Sequence, residues 1–173
     1  MQMKKTRITL ILCSFLATAC SSNGAKQATT PALPQNDYVT FIKPGGSFKH
    51  SQFTDIENYI VQLKNKKKLI ILFATWCADS QRTIEQLQAS PWVNNSELQI
   101  IAIGREENST SLAQFKRDYH LNYPLISDEN RTIYNAYANK GIPRLLLLDE
   151  DNRLIQEENG EDVYALERLL NLL

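Results

Sequence analysis

Residues 69–89 read LIILFATWCADSQRTIEQLQA, and this stretch decides the fold. Leu69 to Ala74 is an unbroken apolar run of strand length, the pattern of a strand covered on both faces. From Ala78 to Ala89 the period changes. Ile84 and Leu87 recur at helical spacing, with no Gly or Pro between them. The chain is therefore predicted to leave a buried strand, turn through Thr75-Trp76 and enter a helix. Cys77 stands at that junction. A thiol at a helix N-terminus faces unpaired backbone N–H groups and the positive end of the helix dipole. Both favour thiolate, the nucleophile of disulfide exchange.

Outward from this stretch, Tyr38 to Lys43 reads as a short strand, and Pro44-Gly45-Gly46 as a turn. Phe53, Ile56, Ile60 and Leu63 predict a helix over 52–65. The basic run Lys64 to Lys68 reads as a solvated turn at the end of that helix. Leu98 to Ile103 is a second buried strand, followed by helices at 109–119 and 129–138. Leu145 to Leu148 is a third buried strand, a turn follows at 149–152, and Arg153 to Gln156 returns as an edge strand. Val163, Leu166, Leu169 and Leu170 mark a closing helix. Strands alternating with helices predict an α/β fold with a central mixed sheet flanked by helices.

The strand, then Ala-x-Trp-Cys (Ala74 to Cys77), a helix, and Gly141-Ile142-Pro143 leading into an apolar hairpin resemble the thioredoxin superfamily over residues 38–173. More narrowly the chain resembles the TlpA/ResA-like, membrane-tethered thiol-disulfide oxidoreductases, which carry a mid-domain strand-helix insertion where residues 98–138 stand. The resemblance implies that Pro143 is cis and packs beside Cys77. It also implies that the Ile142 backbone pairs with an extended substrate strand and that Trp76 forms substrate surface over the thiol.

The departures from that family define the chemistry. The family motif is Cys-x-x-Cys, and here it is Cys77-Ala78-Asp79-Ser80. In the family cycle a first thiolate forms a mixed disulfide and a second cysteine releases it. Ser80 cannot release it, which leaves monothiol exchange that is resolved by an outside thiol or by a second thiol on the substrate. Ser80 is placed to donate a hydrogen bond to the thiolate; Asp79 opposes the thiolate, and Arg82 offsets Asp79. The buried acid common in thioredoxins, six residues before the nucleophile, is replaced by Ile71. A peroxidatic reading fails on Ala74 and Ile70, where peroxiredoxins carry Thr and Pro. Arg144 reads as a surface residue, and His50 and His120 as surface or helix-end residues; Trp92 reads as packing a loop.

The first twenty residues are a different material. Lys4, Lys5 and Arg7 precede an apolar run from Ile8 to Leu16, then Ala17-Thr18-Ala19 and Cys20. This is the layout of a secretory signal. It resembles a bacterial lipobox, with Ala17 in place of the usual Leu. The resemblance implies cleavage after residue 19, acylation of Cys20 and attachment to the membrane through the lipid. Cys13 would be discarded with the signal. Residues 20–37, rich in Ser, Thr, Ala, Pro and Asn, read as a tether. Ser21 and Ser22 after the lipid cysteine imply the outer membrane, with the domain facing the periplasm.

The chain carries 19 basic and 19 acidic residues, with no basic block suited to nucleic acid. In the expected mature domain, one thiol (Cys77) and two histidines without ligand spacing give no metal site, and no cofactor motif is present. The expected partners are thiol- or disulfide-bearing cell-envelope proteins or small thiols. The competing expectation is a redox-inactive module whose cis-proline groove binds peptides.

Overall fold

The computed structural model describes residues 38–173. The expected signal and tether, with Cys20, lie outside the described residues. Among those described, no helix is long and apolar enough to cross a membrane.

The core is a five-stranded sheet. In chain order its strands are β3 (Lys67–Phe73), β4 (Leu98–Arg105), β5 (Leu125–Asp128), β6 (Arg144–Leu148) and β7 (Leu154–Asn159), after a separate hairpin of β1 (Gln52–Thr54) and β2 (Ile60–Gln62). The spatial order is β5-β4-β3-β6-β7. β3, β4 and β5 are parallel, and β6 and β7 run antiparallel. The α-helices are α1 (Ala78–Gln88), α2 (Ser109–Asp118) and α3 (Ala165–Leu170).

Side chains alternate across the sheet with period two. Leu69, Ile71 and Phe73 of β3 join Ile84 and Leu87 of α1, Leu112 and Phe115 of α2, and Leu166 and Leu169 of α3 in one core layer. Ile70 and Leu72 point the other way, onto Ile42, Phe48, Phe53, Tyr134 and Tyr137. All three α-helices thus serve one face. The opposite face is covered by an aromatic-rich chain and a 3-10 helix, Tyr134–Ala136. Because both faces are covered, β3 is buried from Lys68 to Phe73. Each fully buried Leu or Ile contributes ~1.5–3 kcal/mol, so β3 and its partners dominate the folding energy.

Three predicted elements fold otherwise. The helix expected over 52–65 is the β1–β2 hairpin. Asp55 Oδ1 accepts from the Glu57 N–H (2.9 Å) and the Tyr59 N–H (2.8 Å), and Asn58 is left-handed at φ 66°. This side-chain turn offers the backbone a better local arrangement than a helix. The helix expected over 129–138 shrinks to the 3-10 turn, because Asp128 accepts from Ile133 N–H and Tyr134 N–H, and Arg131 is left-handed. β5, just before it, lay hidden in a short run behind Pro124. The strand expected at 38–43 makes a single bridge, Thr40 to Ala138, and then bends at Phe41 and Ile42.

The Lys64–Lys68 run ends no helix. Lys68 is a buried strand residue whose Nζ donates to the carbonyls of Asp149 (2.8 Å) and Glu150 (2.9 Å). Burial holds its ammonium below the usual lysine range.

Candidate functional site

Cys77 is the N-cap residue of α1, with extended backbone (φ −89°, ψ 120°). Its thiol therefore sits where four backbone N–H groups lack helical partners. The side chain is half-buried, and Sγ donates to the Ile142 carbonyl oxygen at 3.5 Å. The Ile142–Pro143 peptide bond is cis. The sulfur and this peptide, 65 residues apart in the chain, are thus neighbours.

The turn before Cys77 is pinned from three directions. The Thr75 N–H and hydroxyl both donate to Glu107 Oε1, at 2.8 and 2.6 Å. The Thr75 carbonyl accepts from Gln81 Nε2 at 2.7 Å. The Cys77 N–H donates to the Ala74 carbonyl at 3.2 Å. With its neighbours fixed, Trp76 projects outward, 66% exposed.

Glu107 is 5% exposed, and its Oε2 accepts from the Ser111 hydroxyl at 2.7 Å. No sequence pattern marks Glu107 as a site residue: Ile71 replaces the buried acid, and a carboxyl group reaches this turn instead from the loop just after the neighbouring strand β4. The available signal was topological. Adjacent parallel strands end on the same side of a sheet, where sites assemble, and β3 and β4 pair with Phe73 opposite Gly104.

Ser80 is fully buried, and its Oγ accepts from the Ala74 N–H at 3.3 Å. This contact uses Ser80 Oγ as an acceptor and leaves its own O–H as a donor. Asp79 pairs with Arg82, whose Nη2 also donates to the Gly160 carbonyl at 2.6 Å.

The proline loop is equally constrained. Pro143 and Ile142 are both buried. The Gly160 N–H donates to the Pro143 carbonyl at 2.8 Å, and a Cβ on Gly160 would lie 2.5 Å from Pro143 Cγ. The Tyr134 hydroxyl donates to the Gly141 carbonyl at 2.6 Å. Gly141 needs its lack of a side chain, because it has φ +81° and lies against the Tyr38 ring.

Arg144 is not a surface residue. It is 2% exposed, pairs with Glu157 at 2.5 Å and donates to Thr40 Oγ1 and the Lys140 carbonyl. It ties the N-terminal segment to the proline loop and the β6–β7 hairpin. His50 is likewise half-buried in an aromatic cluster, not at the surface: its Nδ1 is 2.5 Å from the Tyr137 hydroxyl, and Phe48 stacks on Tyr137. No group of three or more His, Cys, Asp or Glu able to hold a metal occurs among the described residues.

The one thiol among the described residues, half-exposed at a helix N-cap beside a cis-proline loop on a mixed five-stranded sheet, defines a redox-type α/β domain. The profile of the Redoxin family matches residues 46–172, and the chain belongs to that family. Among curated proteins it is similar to the thiol-disulfide oxidoreductase ResA of Bacillus thuringiensis subsp. konkukian, 29% identical over 112 residues, covering 62% of this chain and 65% of the relative. It is also similar to ResA of Bacillus subtilis, 19% identical over 122 residues and covering 64% and 68%. The chain thus spans 65% of the length of the first of these relatives.

Solved structures share the thioredoxin-like fold. A solution structure from Bacteroides thetaiotaomicron superimposes with TM-score 0.67 at 21% identity, over 76% of this chain and 90% of that one. A secreted Mycobacterium tuberculosis disulfide oxidoreductase homologous to E. coli DsbE gives 0.54 at 16% identity, over 69% and 94%.

Proposed function

We propose that this protein is a lipid-anchored, periplasm-facing thiol-disulfide exchange protein that works through Cys77 alone. Its substrates are disulfide- or thiol-bearing envelope proteins or small thiols, and its anchor is an acylated Cys20. The observation that carries the reading is the position of Cys77: N-cap of α1, half-exposed, its sulfur against Ile142 and the cis Pro143.

The Cys77 thiolate attacks one sulfur of a substrate disulfide. A Cys77–substrate S–S bond forms, the substrate S–S bond breaks, and the departing thiolate takes up a proton. A second substrate thiol, or a small thiol, then attacks the mixed disulfide and restores Cys77. No net electrons remain on the protein, so the outcome is isomerisation or exchange. Ser80 has no sulfur with which to resolve the mixed disulfide; its part is a hydrogen bond donated to the Cys77 thiolate. Trp76 supplies exposed apolar surface next to the sulfur for the substrate chain.

The test is to incubate the full-length protein with a glutathionylated peptide and read Cys77 by mass spectrometry. A Cys77 adduct that glutathione discharges supports the reading; an inert Cys77 overturns it. The rival reading, a peptide-binding module, is separated by Cys77→Ser. If capture of envelope proteins survives that change, the groove and not the sulfur carries function. Burial of Ile142 and Pro143 favours the sulfur. Anchoring is read separately, as loss of membrane-fraction protein in Cys20→Ala.

A further inference from the structure

The end of the sheet that carries Cys77 also carries two arginines that the exchange step leaves unused. Arg105 ends β4, one residue past the Phe73–Gly104 pairing, and so lies level with Ala74 at the start of the thiol turn. Arg131 reaches the same place from the loop after β5. We propose that these two guanidinium groups bind a carboxylate of the molecule that reacts at Cys77, so that the favoured substrate is a small, carboxylate-bearing thiol or its disulfide. The proposal rests on the exchange activity assigned to Cys77 above. It names the class of outside thiol that a site without a second cysteine has to recruit.

Position is the first support. Both guanidinium groups lie over the ring of Tyr134, with Cζ 4.9 Å (Arg105) and 5.4 Å (Arg131) from its centre. Such a contact takes the face of a guanidinium and leaves the N–H groups at its edge for hydrogen bonds. Tyr134 is fully buried, and its hydroxyl holds the Gly141 carbonyl at 2.6 Å. The next residue, Ile142, supplies the carbonyl that the Cys77 sulfur touches. One ring and one loop thus join the cations to the thiol. The positive field reaches the loop: burial raises the pKa of the Tyr134 hydroxyl and Glu161 adds to the rise, while Arg105, Arg144 and Arg131 each pull it back.

Charge is the second. Among the described residues Glu106 is the one carboxylate paired with either group, 3.0 Å from Arg105 and 3.7 Å from Arg131. Two cations therefore share one anion. The neighbouring acids are engaged elsewhere: Asp128 accepts from the Ile133 and Tyr134 N–H groups, and Glu107 holds Thr75. Arg144 is neutralised by Glu157. The Glu106 side chain is 44% exposed, and exposed pairs contribute only ~0–1 kcal/mol, so an incoming carboxylate competes with it. The side chains of Arg105 and Arg131 are 17% and 31% exposed, which leaves them open to a ligand from solvent. Arginine holds a carboxylate through two parallel N–H···O bonds.

The experiment reacts the full-length protein with disulfides of similar size and different charge: dithiodipropionate (anionic), hydroxyethyl disulfide (neutral) and cystamine (cationic). Each reaction turns the Cys77 thiolate and the disulfide into a Cys77 mixed disulfide and a released thiolate, which takes up a proton. Rates are divided by those of a short, unstructured cysteine peptide, which removes the intrinsic reactivity of each reagent. The anionic-to-neutral ratio is expected to stand about tenfold above that of the peptide at low salt and to fall as salt rises. Arg105→Gln and Arg131→Gln should each lower the ratio several-fold, and Arg105→Lys should keep part of it, with charge but no fork. Glu106→Gln should raise the ratio, because it removes the competing carboxylate. A clamp that merely braces the turn would be loosened by that change and would not gain a preference for anions. If Cys77 reacts with none of the disulfides, the exchange reading fails and the subsite with it. Reaction at peptide-like ratios, or a ratio that Glu106→Gln leaves unchanged or lowers, overturns the subsite alone.

Discussion

The Cys77 sulfur donates to the carbonyl oxygen of Ile142 at 3.5 Å, across 65 residues of chain. Disulfide exchange consumes that contact, because a thiolate has no proton to give. The carbonyl is then released toward whatever chain approaches the sulfur. The thiol and the proline loop therefore form one unit, and variants of either are expected to register in the reactivity of the other.

Ser80→Cys restores a second thiol one helical turn after Cys77. The new sulfur replaces an oxygen that accepts from the Ala74 N–H, and sulfur is a weak acceptor, so a loss of about 1 kcal/mol is expected. Oxidation should close an intramolecular disulfide, seen as the loss of two hydrogens by mass spectrometry. Insulin reduction by dithiothreitol should accelerate beyond the parent protein. A variant that folds yet forms no such disulfide would show that the Ser80 position does not face Cys77.

Gly160→Ala drives a methyl into Pro143 Cγ at 2.5 Å. The contact is made by backbone on one side and a fixed ring on the other, so neither yields without moving the loop. We expect ~1–3 kcal/mol of destabilisation in urea unfolding and a several-fold change in the rate of Cys77 alkylation. Unchanged alkylation would mean that the proline loop is not coupled to the thiol.

Glu107 distinguishes two substitutions. Glu107→Gln can keep its oxygen on Thr75 and turn its N–H₂ to the Ser111 hydroxyl, whose proton goes to the Asn108 carbonyl at 3.0 Å. It should cost under about 1 kcal/mol. Glu107→Ala leaves the Thr75 N–H and hydroxyl without that partner and should cost ~1–3 kcal/mol. The looser turn should also slow mixed-disulfide formation at Cys77. Equal stabilities of the two variants would contradict this account.

His50 imposes a pH dependence. Burial holds its imidazole below the usual histidine range, and Lys49 adds to this while Asp128 opposes it. In the unfolded chain it protonates near ~6.5, and in the folded chain at lower pH. Between the two the unfolded state binds more protons, so stability falls as pH drops through about 6.5 and levels below the folded value. The melting temperature of His50→Gln, compared with the parent from pH 7.5 to 5, should lack that step.

The long central elements were legible because their patterns are unambiguous. An apolar run such as Leu69 to Ala74 has only one stable place, between two layers, and Ile84 with Leu87 fixes the inner face of α1. The β1–β2 hairpin was not legible. Phe53, Ile56, Ile60 and Leu63 carry a helical spacing that the Asp55 side-chain turn overrides. The same conflict, with Asp128 as the capping carboxylate, removed the helix expected at 129–138.

The sequence by itself determined that one thiol survives at a strand-to-helix junction, and that Ser80 cannot resolve what it forms. Both follow from residue identity and local period. Only the tertiary structure decided what surrounds that thiol: Glu107 from the loop after the next parallel strand, Ile142 from a distant loop, and Gly160 locking Pro143. Those contacts join positions 32, 65 and 17 residues apart. Their partners are chosen by strand pairing and packing, which no local pattern encodes.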